Sequence, residues 1–194
     1  MTHTPSVKEG AVPPTWDLGD FTLRPLGLGD ELAWAGYLSD SRVTEHTTFG
    51  DVDIETVAKA VRRHIAEYSA ATACRWALAN PDGDLIGTCG LLNWSLVHAH
   101  AELVYDLAPA YWRRGYIRRS VQAVLDWAFS TAGFNRVHAF VMTTNAPSIA
   151  LLERTGFARE GTLRQLRTAR TVPRDFYVYA LLRQDFGKWV ARRL

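Results

Sequence analysis

The stretch DLAPAYWRRGYIRRSVQAVLDWAF, residues 106–129, decides how this chain is read. A strand end meets Pro109, then an arginine pair, one glycine, two more arginines and an apolar-periodic run. Val121, Val124, Leu125, Ala128 and Phe129 recur at helical spacing, so a helix is expected over 118–133, closed by Gly133. Arginines at a helix start oppose the helix dipole and cost stability unless something negative sits there. A loop entering a helix aims backbone N–H groups outward. Gly115 permits close approach of a ligand or a positive φ. An oxyanion suits this arrangement. A pyrophosphate would accept several N–H bonds and leave oxygens for Arg113, Arg114, Arg118 and Arg119. The competing reading is a solvated basic helix start. Neither G-x-x-x-x-G-K-[ST] nor G-x-G-x-x-G occurs in the chain.

On either side of this stretch, hydrophobic periodicity outlines one mixed domain. FTLRPL (21–26) alternates as a strand, and GDELAWAGYLSD (29–40) gives a short helix with Leu32, Ala35, Gly36 and Leu38 on one face. DIETVAKAVRRHIAEYSA (53–70) is a clearer helix, capped by Asp53. CRWALAN (74–80) and LIGTCGLLNW (85–94) flank PDGD, a hairpin turn in which Gly83 supplies positive φ. HAELVYDLA (100–108) and RVHAFVM (136–142) read as strands, and APSIALLERTG (146–156) as a helix with Pro147 in its first turn. FAREG (157–161) and RDFYVYALLR (174–183) complete the set. The order predicts an α+β or mixed α/β domain around one central sheet, over residues 16–194, behind a flexible tail at 1–15.

Composition narrows the function classes. The chain has 194 residues, 47% of them hydrophobic, which fits one soluble globular domain. With 22 basic against 20 acidic residues there is no general case for nucleic acid, and a basic site has to be local. Cys74 and Cys89 lie in apolar runs and read as buried free thiols. The N-terminus has no apolar signal-peptide core, and no run approaches the roughly 18 apolar residues of a membrane span, so a cytoplasmic protein is expected. No metal-ligand spacing occurs around His98 and His100.

Residues 112–117 resemble the cofactor motif Q/R-x-x-G-x-G/A of the GCN5-related N-acetyltransferase (GNAT) superfamily, with Trp112 and Ile117 at its outer positions. More specifically, FTLRPLGLGD, AELVYDLAPAYWRRGY, VLDWAF, NRVHAFVMTTNAPSIALLERTGFAREGTLR and RDFYVYALL, in family order, resemble the ribosomal-protein N-acetyltransferase (RimJ/RimL-like) group. The resemblance implies a mostly antiparallel, twisted sheet of six to seven strands, splayed at the cofactor site and flanked by about four helices. It implies acetyl-CoA as cofactor and a primary amine as acceptor, either a protein N-terminus or a small amine. It also brings the prospect of a homodimer, for which Trp94, Trp127 and Trp189 would offer apolar surface.

Site residues follow from the same resemblance. Backbone groups of Tyr105, Asp106 and Leu107 would pair with the pantetheine arm as an added strand does. Arg113, Arg114, Gly115, Tyr116, Ile117 and Arg118 would surround the pyrophosphate, and Asn145 would reach the arm or cap its helix. Transfer to an amine needs a base, for which Glu102 is the candidate, with His98 and His100 as rivals. Many relatives place a Tyr acid where this chain has Leu152. Ser148 is the candidate here for protonating the leaving thiolate. Glu45, His46, Arg164 and Asp175 would line the acceptor side, in loops at 40–53 and 162–174. An acyl-CoA-binding module without turnover remains the alternative.

Overall fold

Turn chemistry and strand alternation build the centre of the sheet. The structure, a computed structural model, describes residues 12–47 and 52–191. β3 (Cys74–Ala79) and β4 (Leu85–Ser95) form the expected hairpin, with Gly83 at φ +90°. β4 pairs with β5 (His100–Leu107), while β2 (Thr22–Pro25) and β1 (Trp16–Asp17) extend the other edge. Beyond β5 stand β6 (Arg136–Met142), β8 (Val172–Leu182) and β7 (Ala158–Ala169), giving the order β1-β2-β3-β4-β5-β6-β8-β7. All pairings are antiparallel except β5 with β6.

Helices cover both faces. On one, α4 (Tyr116–Asp126) buries Val121, Val124 and Leu125 as its spacing requires, and then widens into a π-helical turn over Trp127–Ala132. That turn buries Ala128 and Phe129 and ends at Gly133, φ +94°. α5 (Ala146–Arg154) and α6 (Arg183–Ala191) add Leu152 and Phe186 to the same core. The other face carries α1 (Glu31–Leu38), the single turn α2 (Ser41–Thr44) and α3 (Ile54–Ser69). Asp53 caps α3 by accepting the Thr56 N–H at 2.7 Å.

The structure departs from the sequence reading in five places. Eight strands and six α-helices are present among the described residues, against six to seven and about four. The added pieces are the short β1 and α2, and α6 at the C-terminal end. α1 turns Trp34, Tyr37 and Leu38 inward and leaves Leu32 77% exposed, because two aromatic rings bury more surface than one leucine. Of the expected tail, residues 1–11 lie outside the described residues, but Pro13 is buried and the Pro14 carbonyl accepts from the Trp76 indole at 2.8 Å. The expected loop at 162–174 is the distal part of the β7–β8 hairpin, largely exposed on both faces and so without hydrophobic period. Trp127 is buried, and Trp94, edge-on to Phe134, and Trp189, stacked on Phe186, are half-buried, so these rings expose less apolar surface than the homodimer reading drew on.

Candidate active site

The sheet opens between β5 and β6. Only His100, Ala101 and Glu102 pair with Arg136, Val137 and His138; beyond them β5 stays with β4 and β6 stays with β8. A wedge is left, lined by unpaired backbone. The Ala108 N–H bonds to the Ile86 carbonyl at 2.9 Å, and in this register alternate residues, Asp106 among them, turn their backbone groups toward β4. Those of Leu103, Tyr105 and Leu107 turn toward the wedge. The Leu107 carbonyl already accepts from the Trp112 indole at 2.8 Å.

Asp106 therefore does not face the wedge as expected. Its carboxylate points into the α1–α3 layer, where it meets Arg75 at 3.0 Å, the Thr88 hydroxyl at 2.8 Å and the Tyr37 hydroxyl. The Arg75 guanidinium also lies 5.0 Å over the Trp34 ring. Burial, followed by the Asp106 charge, pushes the Tyr37 hydroxyl well above its ordinary range.

At the open end of the wedge stands the start of α4. Gly115 takes φ +80° as its N-cap, and no side chain caps the helix, so its first N–H groups are unsatisfied. Arg113, two residues earlier, is also left-handed at φ +61°, an uncommon conformation for a non-glycine residue. Arg113, Arg114 and Arg118 are exposed and form no ion pair among the described residues. Arg119 does not join them. It turns back to Asp20 at 2.7 Å and to the Leu18 carbonyl, tying the helix to the N-terminal arm. Tyr116 is buried against Phe21 and Tyr111, and Ile117 packs on the main core, so these two face the turn through their backbone.

At the closed end lies Glu102, 6% exposed. Two β-bulges aim groups at it. The irregularity between Leu92 and Ser95 puts Asn93 at φ +53°, and its amide donates to Glu102 at 2.9 Å. The one between Leu163 and Arg167 ends on Arg167, which reaches Glu102 at 3.1 Å across the rings of Phe140 and Phe176. His138 is Glu102's parallel-strand partner; burial holds its imidazole below the usual range, opposed by the Glu102 charge. His98 and His100 stack 6.3 Å apart, and His100 meets His138 at 5.5 Å, so the rival bases form a file leading away from the carboxylate.

α5 supplies the other wall. Asn145 is its N-cap and accepts the Ser148 N–H at 3.1 Å, leaving its amide N–H₂ free. Ser148 is half-buried, and its side chain bears on the Tyr105 hydroxyl across the wedge. Burial pushes that phenol far above its ordinary range, while Ser148 draws it back. Leu152 is buried in the core. On the acceptor side, Asp175 accepts the Gln165 N–H at 2.8 Å and so fixes the β7 bulge. Arg164 and Asp175 border open depressions, one of them about 260 Å³ and lined also by Thr143, Thr144 and Arg174 at the end of β6. Glu45 is exposed at the end of α2, and His46 Nδ1 is buried with no hydrogen-bond partner among the described residues. The rest of that expected loop, 48–51, lies outside the described residues. Asn93, His138 and Arg167 were not singled out from the sequence; bulges set the aim of Asn93 and Arg167, and bulges have no composition signal, while His138 owes its place to its parallel pairing with Glu102.

The chain matches the Acetyltransferase (GNAT) domain over residues 20–158. It belongs to the GNAT acetyltransferase family. This acetyltransferase is 33% identical over 171 residues to "Uncharacterized N-acetyltransferase p20" of Bacillus licheniformis, covering 86% of this chain and 94% of that protein. Its fold is shared with ribosomal-protein-S5-alanine acetyltransferase of Vibrio fischeri, TM-score 0.79 at 18% identity, over 90% of this chain and 99% of the other. It is shared too with spermidine N-acetyltransferase of Vibrio cholerae, solved with CoA and spermine, TM-score 0.76 at 20% identity, over 87% and 98% of the two chains. The cofactor of the GNAT acetyltransferase is acetyl-CoA. No helix among the described residues is long and apolar enough to cross a membrane, and no group of three metal-ligating side chains occurs among them.

Proposed function

We propose that the chain moves an acetyl group from acetyl-CoA directly to a primary amine, on a protein N-terminus or a small molecule. One observation carries this: the wedge joins an uncapped, arginine-flanked helix start at its open end to a buried carboxylate at its closed end.

In this reading the N–H groups of Gly115, Tyr116, Ile117 and Arg118 hold the pyrophosphate, with Arg113, Arg114 and Arg118 adding charge. Tyr105 offers its free backbone groups to the pantetheine arm, and the Asn145 amide donates to it. Bound acetyl-CoA supplies the activated acetyl group. Glu102 takes the proton that the attacking amine must lose. A wedge-facing N–H of β5 supports the oxygen that gains charge. Ser148, backed by the Tyr105 hydroxyl, would give the leaving sulfur its proton.

Calorimetric titration with acetyl-CoA, with dephospho-CoA and ATP as controls, tests the first half of this reading; CoA release with a panel of amines tests the second. Micromolar binding followed by amine-dependent turnover is the expected result. The second reading, an acyl-CoA-binding module, rests on the fact that Asn93 and Arg167 already occupy Glu102. Binding without turnover on any amine would favour it.

A further inference from the structure

The β7–β8 hairpin carries Arg159, Arg164, Arg167, Arg170 and Arg174 against only Glu160 and Asp175. Both acids are engaged: Glu160 holds Arg136 at 2.6 Å, and Asp175 accepts the Gln165 N–H. Arg159 lies over Tyr177, and Arg170 donates to the Thr44 hydroxyl at 2.8 Å. Arg167 and Arg174 stand directly opposite each other in the register, so their side chains leave the hairpin on one face. Like charges in that position repel. Glu102 offsets one of them; Arg174 is exposed and has no ion pair among the described residues. The Arg167 side chain crosses the sheet from there to Glu102, and Arg174 borders the depression at the end of β6.

Resting on the acetyltransferase reading, we infer that the acceptor is an amine whose molecule also carries an oxyanion, a carboxylate or a phosphate, bound by Arg167 and Arg174. An acceptor whose amine reaches Glu102 meets the Arg167 guanidinium there, and Arg174 stands opposite Arg167 in the hairpin. A polyamine would bring more positive charge to a place that already has too much. An oxyanion relieves the cross-strand repulsion and matches the guanidinium fork. It also acts on the base. As Arg167 turns to the oxyanion, Glu102 loses its ion pair and is left facing the ammonium group that must give up a proton. Binding of the acid group and release of the base are one event.

The test measures CoA release by the full chain over matched acceptors: glucosamine and glucosamine 6-phosphate; alaninamide and alanine; the dipeptides Ala-Gln amide and Ala-Glu amide; and spermidine as the cation. The acidic member of at least one pair should show a KM lower by about tenfold, as expected for one charge-assisted contact. The sugar pair isolates a phosphate, and the other two isolate a carboxylate. Arg174→Glu should abolish that preference, and Arg174→Gln should weaken it, with acetyl-CoA affinity unchanged in both. Preference for neutral or cationic acceptors overturns the inference, as does an Arg174→Glu protein whose KM ratio is unaltered. Acetyl-CoA binding with no turnover on any amine removes the acetyltransferase reading as well, and failure of acetyl-CoA to bind removes its cofactor half first.

Discussion

Glu102 and Arg167, 65 positions apart in the chain, meet at 3.1 Å because the bulge in β7 ends at the arginine. The candidate base is thus held by the hairpin on which the acceptor is expected to rest. Glu102→Gln keeps the size and the Asn93 contact but removes the acceptor of the amine's proton. Turnover should fall by about 10²–10⁴-fold, the usual range for loss of a general base, while acetyl-CoA affinity stays nearly constant. Steady-state rates alongside calorimetry check this, and wild-type rates across pH would take Glu102 out of the chemistry.

On the proposed reading, charge at the α4 start serves acetyl-CoA. Arg113→Ala combined with Arg114→Ala should weaken acetyl-CoA binding, more at low salt than at high salt, because exposed charges are screened. Arg119→Ala is the contrast. Its guanidinium faces Asp20 and Leu18, so it should lower thermal stability with a smaller effect on affinity.

The buried Arg75–Asp106 pair, with side chains 7% and 6% exposed, makes a stability prediction. Asp106→Ala strands a guanidinium whose Nε has no partner even now, and should cost about 3–5 kcal/mol. Urea unfolding measures it. A loss under about 1 kcal/mol would mean that water reaches Arg75.

His64 links stability to pH. Burial, helped by the Arg75 charge and opposed by Glu67, pushes its imidazole down to about 4. The folded state therefore keeps His64 neutral while the unfolded chain protonates it near 6.5. Its contribution is fully present above pH 6.5 and is lost as pH falls from there toward 4. His64→Gln should flatten that part of a stability-versus-pH curve; an unchanged slope would assign the loss to the carboxylates.

Legibility of the fold followed the strength of periodic burial. α3 and α4 could be read because caps and apolar faces agree: Asp53 with Val57 and Val61 in one, Gly115 and Gly133 around Val121, Val124 and Leu125 in the other. The distal half of β7 could not, since it has water on both sides and no period to show. In the site, Glu102 and the arginine turn were visible as residue types, whereas Asp106 was expected at the wedge and turns its backbone to β4 instead. Asn93 and Arg167 were hidden because each depends on a bulge, a register event between strands distant in sequence.

Trp112 sits on the arginine turn, 40% exposed, with its indole on the Leu107 carbonyl and Arg42 5.9 Å from its ring. Trp16, Trp76, Trp127 and Trp94 are instead linked ring to ring within the fold. The chain consequently carries its own optical probe: emission from this one indole should shift when the turn fills, and Trp112→Phe should leave a protein whose fluorescence is blind to the nucleotide.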